Sequence, residues 1–130
     1  MSYWEPHVPT DRKPFTAQSI FTAAGTGGTL VTGVTGVRIY VCHIQLSITT
    51  SAAEAITIRD DSGTPVPIAA LAASPAVGPH EWFFGPDGVA CTLSEGLEYA
   101  MTAGNAGALV VHGYTTRPGP VTEAASKSTW

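Results

Sequence analysis

Four histidines and one acidic turn are where metal or acid–base chemistry would have to be built in this 130-residue chain. His80 and Glu81 are adjacent, while His43 and His112 are remote in sequence. A metal site on a β-barrel strand needs two histidines one residue apart, then a Glu and a further His downstream. Adjacent residues on a strand point to opposite faces. His80 and Glu81 therefore do not form such a pair, although His112 in principle completes a site with His80 or His43. Surface or interface histidines are the expectation, with no metal bound. Asp60-Asp61-Ser62-Gly63 offers oxygens of the kind Ca²⁺ takes, but it lacks the twelve-residue spacing and terminal bidentate Glu of a calcium loop. Its residue types predict an ordinary turn.

Other catalytic patterns are missing. Gly25-Thr-Gly-Gly28 has neither the Lys of a phosphate-binding loop nor a helix after it. No serine sits in a nucleophile elbow, and no carboxylate pair stands out. Cys42 and Cys91 are too few for a disulfide framework and read as small buried thiols. Trp82, Phe83 and Phe84 form an aromatic run. On a strand, Trp82 and Phe84 face one way and Phe83 the other. The run is expected to have one side in the core and one side in a covered interface, with a glycan-stacking platform as the rival.

Charge is the strongest compositional signal. From Pro14 to Ala53 the sole charged residue is Arg38, and Ser62 to His80 and Tyr99 to Thr116 contain none. Charged residues make up 12% of the chain, against about 25% in ordinary soluble domains. A monomer needs charged surface for solubility, so long uncharged stretches imply surface covered by other protein. Net charge is −4, and the six basic residues are scattered, so direct nucleic-acid binding is not expected. No run of eighteen apolar residues suggests a membrane span. The opening Met1-Ser-Tyr-Trp-Glu-Pro lacks the regions of a signal peptide, and synthesis in a reducing cytoplasm is expected.

The elements that must position these residues are strands. Short apolar runs, 14 Gly and 10 Pro predict an all-β, single-domain antiparallel jelly-roll-like β-sandwich of eight or nine strands. Strands are expected at Ala17–Ala23, Gly28–Gly33, Val37–Ile48, Ala53–Asp60, Val66–Leu71, Pro79–Phe84, a row of Val89, Cys91 and Leu93, a row of Leu97, Tyr99 and Met101, and Ala108–Thr115. Val37, Ile39 and Val41 share one face, and Ile44, Leu46 and Ile48 share a face one residue out of phase. A period-2 strand changes phase only through an extra residue, which predicts a β-bulge near Cys42-His43. Pro67 predicts that its strand is an edge or irregular. Gly104 to Gly107 reads as a hairpin loop. The sandwich is assigned to residues 15–116, with an N-terminal arm at 1–14 and a C-terminal arm at 117–130. Tyr3, Trp4 and Trp130 are aromatic anchors suited to docking onto a neighbour.

Gly36-Val-Arg-Ile-Tyr-Val41, Ile44-Gln-Leu46, Ile56-Thr-Ile58, Cys91-Thr-Leu-Ser-Glu-Gly-Leu97 and Ala108-Leu-Val-Val-His-Gly-Tyr114 occur in that order. The pattern, spanning Val37 to Thr115, resembles small jelly-roll structural proteins of tailed bacteriophages, including capsid decoration proteins and head-fibre bases. The resemblance implies a homotrimer without enzymatic activity or cofactor, bound to the major capsid protein on the outer surface of the phage head. Capsid contacts are expected at Tyr3, Trp4 and Trp130. An adhesion module binding host glycans through Trp82, Phe83 and Phe84 is the alternative, and a cupin-like metalloenzyme is the third class.

Overall fold

Strand alternation and Gly/Pro punctuation produce nine strands in the computed structural model, which describes residues 12–101 and 103–117. They are β1 (Lys13–Phe21), β2 (Gly27–Val31), β3 (Arg38–Thr50), β4 (Ile56–Asp60), β5 (Pro67–Leu71), β6 (Gly78–Phe83), β7 (Val89–Ala90), β8 (Leu97–Met101) and β9 (Ala106–Thr116). One sheet (sheet A) runs β1-β9-β3-β6, with the short β7 also paired to β3; the other (sheet B) runs β2-β8-β4-β5. All pairings are antiparallel. The chain crosses repeatedly between two four-strand rows, and this is the jelly-roll path expected from the sequence.

The inner faces of the two sheets meet in one core. Sheet A supplies Phe21, Ile39, Val41, Ile44, Leu46, Ile48, Leu109 and Val111; sheet B supplies Ile56, Ile58, Leu97, Tyr99 and Met101. Each fully buried aliphatic side chain contributes about 1.5–3 kcal/mol. The phase change in β3 is resolved as the pattern requires. The β3–β9 register shifts between Val41 and His43, leaving Cys42 as the extra residue. Val41 and Ile44 can then both point inward although three positions apart. Gly113 pairs with Val41 beside the bulge. A Cβ there would run into the Tyr40 carbonyl and the Phe15 ring, so the residue must be glycine.

Several expectations are corrected. β1 starts at Lys13, inside the segment assigned to the N-terminal arm; of the two arms, residues 1–11 and 118–130 lie outside the described residues. By contrast, β5 is an edge strand, one of the two outcomes read from Pro67. The inward row of Val89, Cys91 and Leu93 fails. β7 ends at Ala90, Cys91 is buried, and Leu93 is 39% exposed because the chain turns away from the sheet at Ser94, which has a positive φ of 70°. Ala106 and Gly107 lie within β9 rather than in the expected loop. Asn105 is fully buried; it accepts a hydrogen bond from Ala52 N at 2.8 Å and donates from Nδ2 to the Glu54 carbonyl at 2.7 Å. That side chain pins the loop before β4 to the turn before β9.

The acidic turn is an anchor for backbone. Asp60, the last residue of β4, is fully buried. Its Oδ1 accepts from Ser62 N at 3.3 Å, Ser62 Oγ at 2.8 Å and Val66 N at 2.9 Å. Its Oδ2 accepts from Thr92 N at 2.9 Å and Thr92 Oγ1 at 2.6 Å. Burial pushes this carboxyl up, but the hydrogen bonds from Thr92, Val66 and Ser62 outweigh burial and hold it well below the usual carboxylate range. Asp61 accepts from Gly96 N at 2.7 Å, and its hydrogen bond with Glu95 raises the Glu95 carboxyl.

Asp60→Ala leaves several buried donors without an acceptor and is expected to cost at least about 3 kcal/mol, measured by urea unfolding. Because the folded state depresses the Asp60 pKa, its stabilisation is fully present above the unfolded value of about 3.9. It is lost as pH falls from there towards the folded value. Asp60→Asn should be less stable at neutral pH and should flatten the fall in stability below about pH 4. An unchanged acid profile in Asp60→Asn would contradict this role.

Candidate functional site on the outer face of the first sheet

The strand register places three cross-strand rows on the solvent side of sheet A. They are Ile20–Ala108–Ser47–Pro79, Gln18–Val110–Gln45–Glu81 and Thr16–His112–His43–Phe83. Of these twelve residues only Glu81 carries a formal charge. Ile20 is 83% exposed and Phe83 72% exposed. Ala108 and Val110 lie between them in the middle of the sheet. The uncharged windows of the sequence thus converge on one continuous sheet face.

The third row is a ladder of rings. His43 stacks on Phe83 at 4.1 Å between centroids, and His112 stacks on His43 at 5.6 Å. Neighbouring strands lie about 4.8 Å apart, so rings standing upright on adjacent strands stack without leaving their register. His43 Nε2 donates to Glu81 Oε2 at 2.9 Å, and Gln45 Nε2 donates to the same oxygen at 3.2 Å. A carboxylate only accepts, so Nε2 carries a proton. Thr16 Oγ1 lies 3.2 Å from His112 Nδ1. Glu81 is therefore held by its neighbours, and the polar atoms of the face are largely matched within it.

Beyond the bulge the face is closed by a second ring pair. Tyr40 stacks on Tyr114 at 4.8 Å, with the Arg12 guanidinium 4.3 Å over the Tyr114 ring. Arg12 also pairs with Asp87 at 3.1 Å, and Tyr114 Oη donates to the Asp87 carbonyl at 2.7 Å. Burial raises the Tyr114 phenol, with Arg12 opposing. The thiols are unsuited to nucleophilic chemistry. Burial, with Asp60 and Asp61 adding to it, pushes Cys91 up to about 12. Cys42, half-buried at the bulge, is also raised by burial.

The aromatic run divides between the faces as its alternation predicts. Trp82 and Phe84 are partly buried and pack against the core, and Phe83 points outward. Trp82 is thereby removed from any surface platform. His80 and Glu81 point to opposite sides of β6; His80 donates to the Ala76 carbonyl at 2.7 Å. Among the described residues, no group of three His, Cys, Asp or Glu side chains is arranged to hold a metal ion. Tyr3, Trp4 and Trp130 lie outside the described residues. The His43–Glu81–Gln45 cluster was not anticipated from the sequence. Its signal was three polar residues at alternate positions on strands whose other faces are apolar.

Comparison with known proteins assigns no family. No protein-family model and no curated protein matches the chain. Among solved structures, the Drosophila NLP-core, described for its pentamer formation and histone binding, is similar over 78% of this chain and 97% of that chain. Its sequence identity is 19% and its TM-score 0.45, too distant to inform function.

The two aromatics of β6 should respond differently to truncation. Trp82→Ala is expected to cost about 2 kcal/mol of unfolding free energy. Phe83→Ala should cost less than about 1 kcal/mol, since it removes an exposed ring and one stacking contact. Equal losses in denaturant titrations would reject the assignment of faces.

Proposed function

We propose that this chain is a non-enzymatic virion structural protein. In this reading it is a homotrimeric capsid decoration protein that binds the major capsid protein on the outer surface of the phage head. The observation that carries the assembly part is the outer face of sheet A, a flat four-strand surface with one charged residue in three rows. The virion part rests on the sequence resemblance.

Dimensions decide how such a face would be used. At the usual strand and residue spacings, four strands and three rows give a planar footprint of about 400 Å². A stable interface needs roughly 800 Å² from each partner. The face supplies about half, so further contacts must come from elsewhere on the chain. The aromatic arms with Tyr3, Trp4 and Trp130 are the proposed source. Three arms bound together to a shell also multiply individually weak contacts.

An adhesion module is the second reading, favoured by the exposed Phe83 ring beside Gln45 and Glu81. In that reading Phe83 replaces Trp82 as the stacking residue.

Sedimentation velocity should give a trimer at micromolar concentration, and Ile20→Lys with Val110→Lys should shift it to monomer while the fold persists. A wild-type monomer would sink the assembly reading. Quantitative mass spectrometry of virions from a phage encoding the chain should find hundreds of copies per particle, and absence from the particle would exclude decoration. A glycan array bound by wild type but not by Phe83→Ala would instead select adhesion.

A further inference from the structure

At one end of the sandwich the sheets part before the core closes. The inner surface of sheet A continues from Ile39 to Val37, and the chain leaving β2 sets Val31 and Val34 around the same space, a cleft of about 280 Å³. Ile39 belongs to the hydrophobic core, whereas Val34 is 50% exposed. The cleft thus reaches from solvent to the end of the core, with Val31, Val34, Val37 and Ile39 on its walls beside Thr32, Thr115 and Thr116.

Lys13 and Arg117 line this cleft, and the register explains why. Lys13 pairs with Thr115 of β9, which also pairs with the inward-facing Ile39. Arg117 follows Thr115 by two positions, so alternation carries it to the same side of the sheet. Both side chains are exposed, so water solvates their charges and they stand at the rim of the cleft. The other described cations are matched: Arg12 with Asp87 at 3.1 Å, Arg59 with Glu98 at 2.8 Å, and Arg38 with the Cys91 carbonyl at 2.9 Å. Lys13 and Arg117 have no ion-pair partner among the described residues. No carboxylate is among the described residues lining the cleft. In a chain of net charge −4, two cations without an ion-pair partner among the described residues share one cleft.

We infer that this cleft binds a small amphiphilic anion, with its carboxylate head held by Lys13 and Arg117 and its unbranched tail against Val31, Val34, Val37 and Ile39. Volume sets the size. Sites for drug-sized ligands run from about 300 to 1,000 Å³, and this cleft lies at the lower limit. A short-chain acid fits where a sterol or a long acyl chain does not. Burial of the tail supplies the affinity, and the paired cations set orientation and reject a cationic head. The site is separate from the outer face of sheet A and does not depend on assembly.

The 130-residue chain is titrated with octanoate, using calorimetry and amide chemical shifts. Saturable binding is expected, with shifts concentrated at Val31, Val34, Val37 and Thr115. Acetate, which has the head without the tail, and octyltrimethylammonium, which has the opposite head, should bind at least about ten-fold more weakly. The double variant Lys13→Ala/Arg117→Ala should lose affinity by a similar factor. Both side chains are exposed, so its amide spectrum should stay folded. Three results would overturn the assignment: no saturable octanoate binding, equal affinity for the ammonium amphiphile, or full affinity in the double variant. Shifts mapping to the outer face of sheet A would do so too.

Discussion

The bulge at Cys42 in the pairing of β3 with β9 sets the identity of both faces of sheet A. A strand without the extra residue would send either Ile39 and Val41 or Ile44, Leu46 and Ile48 into solvent. Accommodating Cys42 at the bulge buries both sets. It also aligns Tyr40 with Tyr114 on one side of the bulge and His43 with His112 on the other. Gly113 is the matching concession on β9, since the displaced Tyr40 carbonyl occupies the space a side chain would need. Core, ring ladder and an outer face whose one charge is Glu81 all depend on that register shift.

Polar groups in this chain mostly serve the fold. The Asp60 carboxylate gathers the loop after β4 and the segment after β7 around one buried charge, and five hydrogen bonds are enough to keep it ionised. Asn105 does the same, without charge, for the loop before β4. Arg59 and Glu98 pair across β4 and β8. With so few charges, and most of them matched locally, what remains for partners is shape and apolar surface on the sheet face, together with the two cations at the open end. Those two features ask for different occupants, one broad and uncharged, the other small and anionic.

Much of the fold was legible because strand alternation is a local property. A content of eight or nine strands, the bulge, an edge or irregular strand at Pro67 and the inward row of Leu97, Tyr99 and Met101 could all be read from spacing alone. The failures lie where contacts between distant segments override local pattern. Leu93 continues a period-2 row in sequence, yet the backbone leaves the sheet because Thr92 is drawn to Asp60 and Ser94 adopts a positive φ. Asn105 lies in a loop as its residue type implies, but its burial was not legible because nothing adjacent reveals that the Ala52 and Glu54 backbone will lie beside it.

The candidate sites divide in the same way. By itself the sequence determined that Trp82 and Phe83 face opposite sides and that charge is missing from the strands, since period 2 and composition require no partner. Tertiary structure alone decided which side is outward. It also put Glu81, Gln45, His43 and His112 on one face and brought Lys13 and Arg117 to the mouth of one cleft. Alternation states which residues share a face, but the face that meets the core, and the residues that meet across it, depend on pairings between segments far apart in the chain.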